Sequence, residues 1–124
     1  MKSRPIGRNI DRIIREYCEV LGLDCSGVSF RWLQAKDSIL GAFYWQKPNT
    51  IYIKDIKTSS LDPQTYIEML MPTVAHELTH RKQYLENQCK YIILSCRWIA
   101  KYTIEPEAEA QELKIAKKIE RLKR

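Results

Sequence analysis

The spacing of apolar residues predicts a helix at the start of the chain. Apolar side chains recur at Ile10, Ile14, Tyr17 and Leu21, and this period of about 3.6 residues is typical of an amphipathic helix. Gly22 follows the last of them and is a common helix terminator. We therefore expect a packing helix over most of the first two dozen residues.

After this helix, apolar and polar residues alternate, which is a period of two. Alternating segments rich in aromatic and β-branched residues predict three strands, in VSFRWLQ (28–34), GAFYWQ (41–46) and TIYIKDI (50–56). Pro48 and Asn49 mark a turn between the last two. The pattern favours a small, mostly antiparallel sheet of about three strands. We expect TIYI to form an exposed edge on which a peptide could dock as an extra strand.

Helical periodicity returns in the second half of the chain. Asp62 before Pro63 is a helix-start signature. Pro72 interrupts the pattern, so it either kinks this helix or begins a second one.

Further helices are expected over residues 88–102 and from Pro106 to the end of the chain. Helices that precede and follow a small sheet indicate an α+β fold. A length of 124 residues, without repeats or a linker, predicts one domain over residues 1–124.

Composition narrows the classes of function. The net charge of +6 permits an acidic partner, but the positive residues are dispersed, which makes nucleic-acid binding the less favoured interpretation. The N-terminal residues contain no apolar run of signal-peptide length, and no stretch is long enough to span a bilayer. We therefore expect a cytoplasmic protein that does not bind membranes.

The four cysteines give no sign of chemistry of their own. None of them forms a C-x-x-C motif, which argues against a cysteine zinc site or a thioredoxin-like centre. Cys89 and Cys96 are seven residues apart, a spacing that would place both on one helix face as small buried residues. We expect all four to be reduced thiols.

The stretch TVAHELTHRKQ (73–83) carries the clearest candidate chemistry. It holds the only two histidines of the chain, His76 and His80, with Glu77 between them. Residues four apart on a helix share one face, so both imidazoles can bind one ion. Glu77 lies about 100° further round the helix, beside the metal, where a carboxylate can act as general base. The pattern predicts one Zn²⁺ per chain.

This stretch resembles the active-site helix of the zincin metallopeptidases. The similarity is to the compact bacteriophage and bacterial kind, in which HELTH is followed three residues on by glutamine, here Gln83. Weaker similarity, in the aromatic strand, in NTIYI and in P-E-x-E-A, extends it to about residues 40–115. The resemblance implies a minimal zincin-like domain with two histidines and one glutamate as zinc ligands. The chain departs from it at Arg81 and Lys82, where zincin helices usually carry uncharged residues.

A third zinc ligand must be a carboxylate, because the chain has no third histidine. The candidates are Glu105, Glu107 and Glu109. The apolar face of the last helix favours Glu105 and Glu109, whereas the following proline disfavours a helical conformation at Glu105. The resemblance to the P-E-x-E-A form favours Glu107. We select Glu107, with Glu105 and Glu109 as the alternatives.

We therefore expect a zinc metallopeptidase that hydrolyses peptide bonds in a specific intracellular protein or peptide substrate. If the gene is carried by a bacteriophage, the setting is the host cytoplasm. The residue that stabilises the oxyanion stays open among Tyr84, Tyr91, Tyr102 and Arg97. The alternative function is a catalytically silent protein-binding module that zinc stabilises.

Overall fold

A computed structural model describes residues 4–34, 39–58, 60–96 and 98–124. The fold is α+β, as predicted, with an N-terminal helix, a three-stranded sheet and a long helix packed against the C-terminal one. The elements are α1 (Arg8–Leu21), β1 (Ser29–Leu33), β2 (Gly41–Phe43), β3 (Thr50–Lys54), a 3₁₀ turn (Ile56–Thr58), α2 (Pro63–Glu86), α3 (Gln88–Leu94), α4 (Ala100–Thr103) and α5 (Glu105–Leu122).

The first helix matches its predicted extent and its predicted end. α1 buries Ile14, Cys18 and Leu21 on the face that meets the core. Gly22 terminates it with a φ of 73°, in the left-handed region that glycine adopts without steric cost.

The sheet is mixed, whereas the sequence predicted a mostly antiparallel one. The strand order is β1-β3-β2, with β3 parallel to β1 and antiparallel to β2. In β3 the side chains of Ile51, Tyr52 and Ile53 are all buried. A run of consecutive buried residues is typical of a central strand, and its insertion between β1 and β2 produces the parallel pair.

The prediction that TIYI forms an exposed docking edge was therefore wrong, because this segment lies in the central strand of the sheet. The outer side of β1 is covered by the N-terminal segment, where Ile6 N–H donates to Phe30 O and Trp32 N–H donates to Arg4 O. In the part of the chain that the structure describes, β2 has a strand on one side only. Among the described residues, β2 is therefore the strand whose outer edge has no neighbouring strand.

α2 is one helix of 24 residues that passes through Pro72, so no second helix begins there. Asp62 caps it as predicted, accepting a hydrogen bond from Thr65 N–H at 3.2 Å, and Pro63 occupies its first turn. Val74, Ala75 and other apolar residues of α2 lie in the main core. The helix is thereby held between the sheet and α5.

The C-terminal region is divided more finely than predicted. The single helix expected over residues 88–102 is two short helices, α3 and α4.

Cys89 and Cys96 are exposed, so the expectation that they are buried was wrong, although all four cysteines are free. Among the described residues, no helix combines the length and apolar character needed to cross a bilayer.

α5 begins at Glu105, directly before Pro106. One stripe of α5, spaced by three and four residues, consists of Glu105, Ala108, Glu112, Ile115 and Ile119. Its three apolar members are buried. The two glutamates lie on the same stripe, and this places their carboxylates against α2.

Candidate metal centre

His76 and His80 project from neighbouring turns of α2, with ring centroids 4.9 Å apart. His80 is 6% exposed and His76 is partly exposed. The four-residue spacing on a continuous helix places both imidazoles on one face, as the sequence predicted.

Glu105 completes a group of three potential metal ligands. Its Oε1 lies 3.1 Å from His76 Nε2 and 2.5 Å from His80 Nε2. The packing of α5 on α2 brings the first residue of α5 over the two rings. His76, His80 and Glu105 form a group of metal-ligating type in the described structure.

Glu107, the carboxylate that the sequence favoured, lies elsewhere. Its Oε1 accepts a hydrogen bond from Gln83 Nε2 at 2.9 Å. Glu109 lies on the exposed side of α5. Of the three carboxylates considered from the sequence, the structure brings Glu105 to the histidines.

Two residues outside this group contact the histidine rings at Nδ1, the nitrogen that does not face Glu105. His76 Nδ1 lies 2.9 Å from Glu112 Oε1, and His80 Nδ1 lies 2.9 Å from Gln83 Oε1. Both oxygens only accept hydrogen bonds, so each Nδ1 carries a hydrogen, and Nε2 is the nitrogen through which a neutral imidazole would bind a metal ion. Such outer partners are typical of metal-binding histidines. Sequence reasoning missed Glu112, although its place on the stripe of Glu105 and Ala108 was a usable signal.

The ligand atoms of His76, His80 and Glu105 all lie within 4.8 Å of one another, as those of a tetrahedral ion such as zinc do. Bonds of about 2.0–2.1 Å separate neighbouring ligands of such an ion by roughly 3.3 Å. Glu105 Oε1 lies 3.1 Å from His76 Nε2, close to this separation, and 2.5 Å from His80 Nε2, a distance that would lengthen around an ion. Two imidazole nitrogens and one carboxylate oxygen also form a known catalytic zinc ligand set.

Glu77 is buried beside this group, under strand β2. It is 7% exposed. Gly41 of β2 lies so close that an added Cβ would be 2.7 Å from Thr73 Cγ2 and 3.4 Å from Glu77 Cγ. A glycine at this position lets the strand lie directly on α2 and cover Glu77.

Burial raises the pKa of Glu77 from 4.5 to about 7. The nearby charge of His76 opposes this shift, and the carboxylates of Glu105 and Glu112 add to it. Glu77 thus differs from an ordinary surface glutamate in holding its proton to near-neutral pH in the metal-free protein.

This raised pKa predicts how the stability of the metal-free protein depends on pH. The unfolded chain releases the Glu77 proton near pH 4.5, but the folded protein releases it near pH 7. The contribution of this group to stability is thus fully present below pH 4.5 and is lost as the pH rises through 7. The side chain of Glu77→Gln stays neutral at every pH. Its free energy of unfolding should therefore rise relative to that of the wild type by about 2 kcal/mol between pH 5 and pH 8.

Urea unfolding in the presence of a chelator, at a series of pH values, would measure this difference. Glu86→Gln is the matched control, because Glu86 is an exposed carboxylate at the end of the same helix. A difference between Glu77→Gln and the wild type that stays constant with pH would contradict the raised pKa.

Tyr91 is the tyrosine that borders the site. It is buried, and its ring centroid lies 6.3 Å from that of His80. Burial, together with the charges of Glu77 and Glu105, raises its pKa well above the usual range. Tyr84 directs its hydroxyl to Gln88, at 3.4 Å, and Tyr102 is 74% exposed. Arg97, the fourth candidate for the oxyanion, lies outside the described residues.

Arg81, one of the two basic residues that depart from the zincin pattern, makes defined contacts. Its Nε donates to Pro48 O at 3.1 Å, and a terminal nitrogen donates to Asn49 Oδ1 at 3.2 Å. These bonds tie α2 to the turn that precedes β3. The charge thus helps to hold the sheet on the helix.

Comparison with known proteins finds no matching family model, no matching curated protein and no matching solved structure. The geometry of the candidate centre is therefore the basis for a functional assignment.

Proposed function

We propose that the protein is a zinc-dependent metallopeptidase with His76, His80 and Glu105 as the metal ligands. The observation that carries this proposal is the position of Glu105 Oε1 between the two Nε2 atoms, beside a buried glutamate. In the proposed ligand set, Glu105 thus replaces Glu107, which the sequence analysis had selected. A bound zinc ion would acidify a water molecule and polarise the substrate carbonyl.

The protein's own residues supply the other parts of the reaction. Glu77 accepts the proton of the attacking water and passes it to the leaving amine. Its burial under β2 keeps the carboxylate in one place and shields it from bulk solvent. Tyr91, whose ring lies next to that of His80, donates a hydrogen bond from its hydroxyl to the oxyanion that forms from the carbonyl. The substrate on this proposal is a protein or peptide.

Metal content tests the ligand set directly. The wild-type protein should contain about one zinc per chain, measured by elemental analysis after refolding with zinc and removal of the excess. Glu105→Ala should contain much less, because two histidines alone leave the ion weakly held. Glu107→Ala is the matched control and should keep its zinc, because its carboxylate contacts Gln83 instead of the histidines.

Two results would overturn this assignment in different ways. Zinc lost from Glu107→Ala and kept in Glu105→Ala would restore the ligand that the sequence favoured. A wild-type protein without zinc would remove the metallopeptidase proposal altogether. Circular dichroism of each variant would confirm that a loss of metal does not reflect a loss of fold.

A further inference from the structure

Gln83 joins the helix that carries the two histidines to the helix that carries Glu105. Its Oε1 accepts from His80 Nδ1 at 2.9 Å. Its Nε2 donates to Ile104 O at 3.0 Å and to Glu107 Oε1 at 2.9 Å. One side chain therefore contacts a candidate metal ligand on α2 and two groups at the start of α5.

The orientation of the Gln83 amide follows from these partners. The carbonyl of Ile104 and the carboxylate of Glu107 only accept hydrogen bonds, so the amide nitrogen must face α5. The amide oxygen must then face His80 and accept the Nδ1 hydrogen. A reversed amide would place its oxygen against the two acceptors of α5 and its NH2 group against the Nδ1 hydrogen of His80, so the network favours a single arrangement.

The hydrogen bond from Gln83 to Ile104 affects the position of Glu105 through the backbone. Ile104 is the residue directly before Glu105, and its side chain is buried with Tyr84 and Tyr91. A hydrogen bond to the Ile104 carbonyl therefore fixes the peptide unit from which Glu105 extends. Movement of that unit would shift the Glu105 carboxylate relative to both histidines.

We propose that Gln83 is a positioning residue of the metal centre, which sets the tautomer of His80 and holds the start of α5 at the distance that the third ligand requires. Glu107 is a second acceptor for the Gln83 amide, but the bonds to His80 and to Ile104 O link the two helices without it. This inference rests on the zinc site proposed above.

Zinc affinity of the purified protein, measured by competition with a chromophoric chelator, is the main test. Gln83→Met keeps the length of the side chain but removes both the donor and the acceptor. It should weaken zinc binding by about 10–100-fold, the usual effect of losing an outer partner of a metal ligand. Gln88→Met is the matched control, since Gln88 is an exposed glutamine at the start of α3, and should bind zinc as the wild type does.

A rescue experiment separates positioning from a general effect on folding. Gln83→Glu keeps an acceptor for His80, but it cannot donate to Ile104 and it faces the carboxylate of Glu107. Adding Glu107→Gln to this variant supplies a donor opposite the new carboxylate. The double variant should therefore bind zinc more tightly than Gln83→Glu alone.

The histidine tautomer gives a readout that does not depend on affinity or activity. In the zinc-loaded wild type, NMR should detect a slowly exchanging hydrogen on His80 Nδ1, and this signal should be lost or exchange faster in Gln83→Met. Unchanged zinc affinity and an unchanged His80 signal in Gln83→Met would overturn the role of Gln83 while leaving the zinc site intact. A wild type that binds no zinc would overturn both proposals.

Discussion

Glutamine in place of Glu77 should leave about one zinc per chain and lower kcat for peptide hydrolysis by about 10²–10⁴-fold. The substitution keeps the size and shape of the buried side chain, so the packing of β2 over α2 at Gly41 is preserved. The amide cannot accept the proton of the attacking water. Zinc should stay bound, because Glu77 is not one of the three ligand residues.

A randomised peptide library is a suitable substrate for this test, with the products identified by mass spectrometry. Glu86→Gln is the control, because it makes the same chemical change at an exposed position of α2. Turnover by Glu77→Gln at the wild-type rate would remove Glu77 from the mechanism. A zinc-loaded wild type that cleaves no peptide in the library would favour the alternative, a protein-binding module that zinc stabilises.

The two histidines and Glu77 could be located from the sequence because their arrangement is local. Four residues of helix place His76 and His80 on one face whatever the rest of the fold does. The start of α2 was equally local, since Asp62 and Pro63 act on their own turn. Predictions of this kind depend on bonds within a single helix.

The third ligand depends on how two helices pack, which is not a local property. The apolar face of α5 favoured Glu105 and Glu109, the proline rule counted against Glu105, and the resemblance to P-E-x-E-A favoured Glu107. Glu105 is nevertheless the first residue of α5, so the preference of a residue before proline for extended backbone did not exclude it from the helix. The apolar face was right for Glu105, which meets α2 at the histidines, and wrong for Glu109, which is exposed.

The order of the strands was a second non-local property. Alternation predicted three strands, but it does not say which of them pair. The consecutive buried residues of β3 were the available signal for a central strand. An emphasis on local turns favoured an antiparallel sheet and placed TIYI at its edge.

Tyr91→Phe should lower kcat by about 10²–10³-fold, the usual effect of removing one donor to an oxyanion, and should change KM little. The change deletes one hydroxyl and keeps the ring that packs on Phe43, Tyr84 and His80. Zinc content should match that of the wild type, because Tyr91 is not a ligand.

The expected split between kcat and KM follows from when the hydrogen bond forms. The carbonyl oxygen gains its negative charge only in the transition state, so the donor stabilises that state more than the bound substrate. The hydroxyl is protonated at neutral pH, as in any tyrosine, and burial together with two nearby carboxylates moves its pKa further above that range. It can therefore donate throughout the range in which the enzyme would work.

Tyr84→Phe is the control that makes this test specific. Tyr84 is buried in the same aromatic cluster, at 5.8 Å between ring centroids, but directs its hydroxyl to Gln88. Loss of a hydroxyl from the cluster as such would affect both variants alike. Equal kcat values for Tyr91→Phe and Tyr84→Phe would remove Tyr91 from the mechanism, whereas a loss confined to Tyr91→Phe would identify it as the oxyanion donor.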